Sequence, residues 1–398
     1  MRAYSASSEE ALRARNLLKD WAGEGFLTEA QYQRMEQETV CDLRRTNIFL
    51  RIVLFFFTVL IVTAAIALFF TTFLRRPSEQ ITGIFLLIFA PIAYAAAEFA
   101  VTQARLYRYG IEEALAVSSV AFLCIGMVFV LLESHYPRPA GMEALILAAG
   151  AIASLWIWYR FGLPYAFLAA MLFTVWLPSH WTSSHSAQHL AVAAIYGAGL
   201  IAIVAVRARY RFTYLDQTYS IAEALLWLGI YAAINLQLSS LELLPRLWNG
   251  IERPTDFSNP FYWTTWALTW CLPPAVLARG LRTKDRFVLA AGAIAAVLTL
   301  VTNKPYLGWP RHTWDAMFLG AFLIAVALFS RRWLAAGPSG IRHGFTAQRL
   351  SAKDKAWLST GATAIGFVAP QAVTPPQPSP EFQFGGGDSG GGGASSDF

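Results

Sequence analysis

Ten apolar stretches, each close to the length a helix needs to cross a bilayer, recur along the 398 residues and restrict the fold more than any other feature. Crossing the hydrocarbon takes about 20 apolar residues in a helix, because every backbone N–H and C=O must find its partner inside the segment. The stretches lie near residues 52–74, 81–101, 114–132, 143–159, 163–178, 189–206, 219–236, 261–278, 287–302 and 315–330. They predict an all-α, polytopic transmembrane helical bundle of about ten spans. Hydrophobic residues at 56% and charged residues at 14% point to lipid as the solvent, since a soluble domain carries about 25% charged side chains. Only Arg160, Phe161 and Gly162 separate the fourth and fifth stretches, which form either a tight hairpin or one long kinked element.

Orientation follows from Lys and Arg, which stay on the cytoplasmic side during insertion. With the N-terminus inside, 24 of the 31 Lys and Arg fall in cytoplasmic segments and seven outside; Arg207, Arg209 and Arg211 crowd one inner loop, and Arg279, Arg282, Lys284 and Arg286 another. Shifting the span count by one scrambles this alternation, so the expected topology is N-in and C-in. The net charge of +6 then belongs to insertion. A nucleic-acid partner is not expected, because the basic residues are dispersed over short loops and not gathered on one soluble face. The first 47 residues contain no apolar run, so the first span itself serves as insertion signal. Cys41, Cys124 and Cys271 show no C-x-x-C spacing and support neither a disulfide framework nor a zinc ribbon.

Three regions are expected: a cytoplasmic helical pair over 1–47, a transmembrane domain over 48–334, and a disordered cytoplasmic Pro/Gly-rich tail over 335–398. In the first, Ser7 with Glu10 and Thr28 with Gln31 have capping-box spacing, and Gly23 and Gly25 break the first helix. Leu17, Leu18 and Trp21 are spaced to meet Tyr32 and Met35. So small a pair rarely folds alone, and it should dock on the membrane domain or on a partner.

The stretch Leu17-Leu18-Lys19-Asp20-Trp21-Ala22-Gly23-Glu24-Gly25-Phe26-Leu27-Thr28-Glu29-Ala30-Gln31-Tyr32, followed by a charged linker and a first span, resembles the start of an uncharacterised bacterial membrane family carrying the domain of unknown function 2157. Arg108-Tyr109-Gly110-Ile111-Glu112-Glu113-Ala114-Leu115 is similar to it as well. The resemblance covers the first third of the chain and implies a bacterial inner-membrane setting, with no activity to carry over. The tail, with Pro375, Pro376, Pro378 and Pro380 and a Gly/Ser-rich end closing on Phe398, resembles the termini of some bacterial membrane proteins with a TPM domain. It is either a flexible tether or a short tag whose Phe398 and terminal carboxylate are captured by a cytoplasmic partner. The apolar run from Trp357 to Val368 is too short to span and reads as an interfacial or loop segment.

Candidate chemistry is sparse. His180, His185 and His189 lie in or beside one outer loop, and His185 and His189 share a face if the sixth helix begins early, the spacing two imidazoles need on a metal; His135 or Glu133 could complete the set. The default is a solvated loop. Ionisable residues in spans mark function because they are costly in lipid. Here Glu98, Glu223 and Asp315 all sit near span ends, where snorkelling or pairing with arginine is the expected role. The eighth stretch joins Thr265 and Thr269 on one face with Pro273 and Pro274, whose missing N–H groups free carbonyls as discontinuous transporter helices require; with Glu223 these residues are the candidate solute path. A tolerated kink, with Trp263, Trp266 and Trp270 as interfacial anchors, is the plainer account. Leu238, Leu241, Leu244, Leu247 and Trp248 predict a short interfacial helix within 237–260.

No G-x-S-x-G, P-loop or dinucleotide-binding motif occurs, so no cofactor is expected and an enzyme is disfavoured. The favoured function is a non-catalytic membrane component that docks partners through its cytoplasmic ends. The alternatives are a carrier or channel for a small solute, and an envelope enzyme with an external histidine metal site.

Overall fold

The computed structural model describes residues 3–23, 25–39, 43–74, 78–132, 141–210, 213, 215–238, 257–309, 312, 314–337, 341–342 and 345–346. Among them are twelve α-helices: α1 Ala6–Gly23, α2 Glu29–Glu38, α3 Ile48–Phe69, α4 Glu79–Thr102, α5 Ile111–Met127, α6 Met142–Phe161, α7 Pro164–Trp176, α8 His185–Arg209, α9 Asp216–Ile234, α10 Asn259–Thr283, α11 Arg286–Leu307 and α12 Trp314–Ala335. The described residues are all-α apart from a two-residue antiparallel ladder, β1 Ile341–Arg342 with β2 Phe345–Thr346, inside the segment expected to be unstructured.

Each of the ten apolar stretches coincides with one helix from α3 to α12. Seven of these helices are long and apolar enough to cross a membrane: α3 with its π-helical extension to Leu74, α4, α5 with its extension, α6, α8, α11 and α12. The other three fall outside that group for identifiable reasons. α7 has only 13 residues; α9 and α10 carry polar side chains that bond to other helices. α6 and α7 are a hairpin of two separate helices, because Gly162 takes the left-handed conformation (φ 71°) that ends α6 and Pro164 occupies the first turn of α7. α3 is capped by Asn47, whose Oδ1 accepts the Leu50 N–H at 2.8 Å. Gly110, at φ 104°, begins α5 where a side chain would strike the backbone of Arg51 and Phe55, so α5 starts in close contact with α3.

Two compact units are present, Met1–Trp333 and Leu334–Phe398. The N-terminal pair belongs to the first and is not a separate domain. Its docking is specific: the Ala3 N–H donates to the Arg160 carbonyl at 3.0 Å, and the Tyr4 ring packs edge-on against Tyr107 with centroids 4.7 Å apart. Tyr4 thereby joins the main apolar core with Ala97, Trp158, Phe161 and Phe167. The Thr28–Gln31 capping box forms as expected. The Ser7–Glu10 box does not: α1 begins at Ala6, so Ser5 precedes it and its Oγ accepts the Ser8 N–H at 3.2 Å.

That core runs between α4, α5, α6, α7, α8 and α9 and is reinforced by the Tyr196 hydroxyl, which donates to the Met171 carbonyl at 2.6 Å. α3 and α12 bury none of their residues within the chain and present apolar side chains outward. α9 and α11 run parallel, since Ser220, Tyr231 and Asn235 meet Asp285, Thr299 and Thr302 in the same order; α10 returns between them. The interfacial helix expected within 237–260 lies mostly outside the described residues, as do Cys41, the run from Trp357 to Val368, and Phe398. Cys124 and Cys271 are free thiols.

Candidate functional site

The polar residues of α9 fall on one face: Asp216, Ser220, Glu223, Tyr231 and Asn235 repeat at roughly helical spacing. That face meets α10 and α11 along a seam with charge at one end and neutral hydrogen bonds at the other.

At the charged end Glu223 is fully buried. Its Oε2 accepts from Arg207 Nη1 at 2.7 Å and its Oε1 from Arg279 Nε at 3.1 Å. Arg207, from α8, also donates to Asp216 at 2.9 Å and pairs with Asp285 at 2.5 Å. Asp285 caps α11 through the N–H groups of Phe287 and Val288 and accepts the Ser220 hydroxyl. Three carboxylates and two guanidinium groups from α8, α9, α10 and the α10–α11 turn thus satisfy one another. Burial of Asp285 opposes its ionisation, yet the Ser220 hydroxyl, the Arg207 guanidinium and the Phe287 N–H outweigh it and hold the carboxyl below its usual range. The pairing of Glu223 with arginine is the role expected from sequence. Arg207, Asp216, Ser220 and Asp285 were not singled out there, although the spacing on α9 marks the first turns of the seam.

At the neutral end the bonds form a directed chain. Pro273 has no N–H to give the Thr269 carbonyl one turn earlier. The Thr299 hydroxyl of α11 donates to that carbonyl at 2.9 Å, sharing its proton with Ala295 O at the same distance. With that proton committed, the Tyr231 hydroxyl must be the donor in its 2.8 Å contact with Thr299 Oγ1. Asn235 Nδ2 in turn donates to Tyr231 at 2.9 Å and to Thr302 at 3.0 Å. Tyr306 closes the end, its hydroxyl accepting the Leu236 N–H at 2.7 Å and its carbonyl accepting from Tyr262 at 3.0 Å. Chains of this kind polarise one another and are costly to leave incomplete.

The threonines of the candidate solute path bond within their own helix. Thr265 and Thr269 are both buried on one face, as their spacing requires, but their hydroxyls donate back to the carbonyls of Tyr262 and Trp266 at 2.7 Å. α10 continues unbroken through Pro273 and Pro274. Trp266 and Trp270 both donate to Asn303 Oδ1, at 3.1 and 3.2 Å, while Trp263 is 38% exposed.

The other span-end acids are paired too. Glu98 accepts from Arg160 at 3.0 Å and from the Tyr94 hydroxyl at 2.8 Å, and Asp315 pairs with Lys304. α8 does begin at His185, which puts His189 one turn on, and both rings pack against Phe257. His189 Nδ1 lies 2.7 Å from the Ala233 carbonyl and so carries the proton that ties α8 to the end of α9. His180 sits in a 3-10 turn on a depression of about 440 Å³ shared with Glu143, Trp176 and Ser179. Among the described residues no three His, Cys, Asp or Glu gather in a metal-binding set, and His135 and Glu133 lie outside them.

On the N-terminal pair, Leu18 is buried but Leu17, Trp21, Phe26 and Met35 are 42%, 44%, 69% and 39% exposed. The two helices are joined by an ion pair between Arg15 and Glu36. No known protein family, curated protein or solved structure matches this chain.

Proposed function

We propose that the chain is a multi-pass protein of a bacterial inner membrane, with ten spans and both ends cytoplasmic, acting as a non-catalytic component that holds partners at those ends. One observation carries this reading: the N-terminal pair is anchored on one side by Ala3 and Tyr4 while Leu17, Trp21, Phe26 and Met35 stay uncovered. A contiguous apolar patch marks an interaction surface, and Leu17 and Trp21 are one turn apart on the same face of α1. The bacterial inner-membrane setting rests on the resemblance of residues 17–32 and 108–115, and the tail ending in Phe398 would be a second cytoplasmic element.

A carrier has less to rest on, because the Thr265 and Thr269 hydroxyls are spent on carbonyls of their own helix, Thr299 takes the carbonyl that Pro273 leaves open, and Glu223 is held by Arg207 and Arg279. The test is cross-linking in intact cells of the full-length protein, a Trp21→Ala/Phe26→Ala variant and a chain lacking 371–398. Defined adducts that vanish with either change support docking; an unchanged pattern in both rejects it. Impermeant-reagent labelling of Ser183→Cys but not Ser8→Cys in the same cells checks the topology.

A further inference from the structure

The ends of α5, α6 and α7 enclose the depression of about 440 Å³ on which His180 sits. Its floor is apolar, made by Val128 just past α5 and by Ile146 and Leu147 in the first turns of α6. Its rim carries the Glu143 carboxylate from the start of α6, and the Trp176 indole, Ser179 and His180 from the end of α7 and the 3-10 turn after it. Among the described residues neither the Glu143 carboxylate nor the His180 ring has a hydrogen-bond or ion-pair partner in the chain. This sets Glu143 apart from Glu98, Glu223 and Asp315, each of which holds a basic side chain. The Ser179 hydroxyl donates to the Trp176 carbonyl at 2.6 Å, so its oxygen is left as an acceptor.

An apolar floor under a carboxylate, a hydroxyl acceptor and an indole suits an amphiphile whose head is a protonated amine. A primary ammonium brings three N–H donors, makes charge-assisted bonds to a carboxylate and is attracted to an indole face. We infer that this depression holds the head of a phospholipid bearing a primary amine. The ammonium bonds Glu143 and Ser179 Oγ beside the Trp176 ring, the His180 N–H donates to the phosphate, and the first acyl carbons lie on Val128, Ile146 and Leu147. The volume falls within the range of about 300–1,000 Å³ usual for ligand sites. Place favours a lipid over a free amine: α5 and α6 are long and apolar enough to span, the depression sits at their ends, and Trp176 and Trp181 are 54% and 65% exposed there, as tryptophans at a membrane interface are. A glycerol head lacks the cation and sets the phosphate charge against Glu143, whereas a choline head keeps the ring contact but has no N–H to give. With both chain ends cytoplasmic the site faces the outer leaflet; the inference itself rests neither on that orientation nor on partner docking.

The experiment titrates the purified full-length protein in detergent with short-chain phospholipids that differ only in the head group. Phosphatidylethanolamine should slow hydrogen exchange saturably at residues 142–147 and 177–181. Its half-saturating concentration should lie about tenfold or more below that of phosphatidylglycerol, equivalent to about 1.4 kcal/mol, with phosphatidylcholine between them. Glu143→Gln should remove the preference for the ethanolamine head, and Trp176→Leu should weaken the ethanolamine and choline lipids together. Ser183→Ala, on the exposed loop beyond the depression, should leave the titration unchanged. Equal protection by all three head groups, or an undiminished preference in Glu143→Gln, overturns the site. Hexylamine that protects as strongly as phosphatidylethanolamine at equal concentration overturns the lipid and assigns the depression to a free amine. The head-group comparison in the wild type needs no variant and decides even if Glu143→Gln fails to fold.

Discussion

Replacing Thr299 by Val keeps the shape of the side chain but removes the hydroxyl that answers the proline-freed carbonyl of Thr269 and accepts from Tyr231. Hydrogen bonds between helices in a membrane average about 0.6 kcal/mol and reach about 1.7 kcal/mol, so losing two should cost about 1–3 kcal/mol. The structure also says how part of that loss can be restored. Pro273→Ala returns an N–H at the position whose absence exposed the Thr269 carbonyl, and the helix then bonds it internally. In that background Thr299→Val removes only the Tyr231 contact. A four-protein cycle, read by reversible detergent unfolding of the purified chain, should give a coupling of about 0.6–1.7 kcal/mol, the double variant being less damaged than the sum of the singles. Additivity within about 0.3 kcal/mol would refute the claim that Thr299 serves the carbonyl Pro273 leaves open.

Glu223→Gln should cost about 1.5–3 kcal/mol in the same assay, because an amide can accept from only one of Arg207 and Arg279; Glu223→Ala should cost about 3–5 kcal/mol, and equal stability of all three proteins would rule out the clamp. Asp285 is ionised more readily folded than unfolded, so its contribution is complete above about pH 4 and lost as pH falls through its lower folded value. Asp285→Asn should therefore destabilise at neutral pH and flatten the acid limb of the stability profile, which unfolding midpoints between neutral and acid pH would record. Gly110→Ala places a methyl group against the Arg51 backbone at a positive φ and should cost about 1–3 kcal/mol, visible as a lowered unfolding temperature.

The helices were legible because lipid demands length and hydropathy together, and both are local properties. The three residues from Arg160 to Gly162 do not by themselves decide between a break and a kink; Gly162 at positive φ decides it. Pairing of Glu98 and Glu223 with arginine follows from the cost of burying charge, although the partners, Arg160, Arg207 and Arg279, lie 62, 16 and 56 residues away. The relay through Thr299 was not legible, since one Thr in an apolar helix looks the same whether it answers its own turn or a carbonyl across the seam. The first cap was misplaced by two residues because Ser5, Ser7 and Ser8 are all competent caps, and only the docking of Ala3 and Tyr4 selects the first. The shared helix face of His185 and His189 was legible from their spacing, but the bond from His189 Nδ1 to a carbonyl on another helix, which leaves Nε2 as the ring's lone-pair nitrogen, was not.

The seam also bears on how the protein is made. α9 and α10 do not qualify as spans on hydropathy alone, while α11, which supplies Asp285, Thr299 and Thr302 to them, does. Two helices of lower mean hydropathy thus bond to a third that the ribosome delivers after them. Biogenesis should run with α9 and α10 retained at the insertion machinery until α11 arrives, and release of all three together. A chain ended at Thr283 should leave α9 and α10 extractable by alkali, whereas one ended at Gly308 should anchor them firmly.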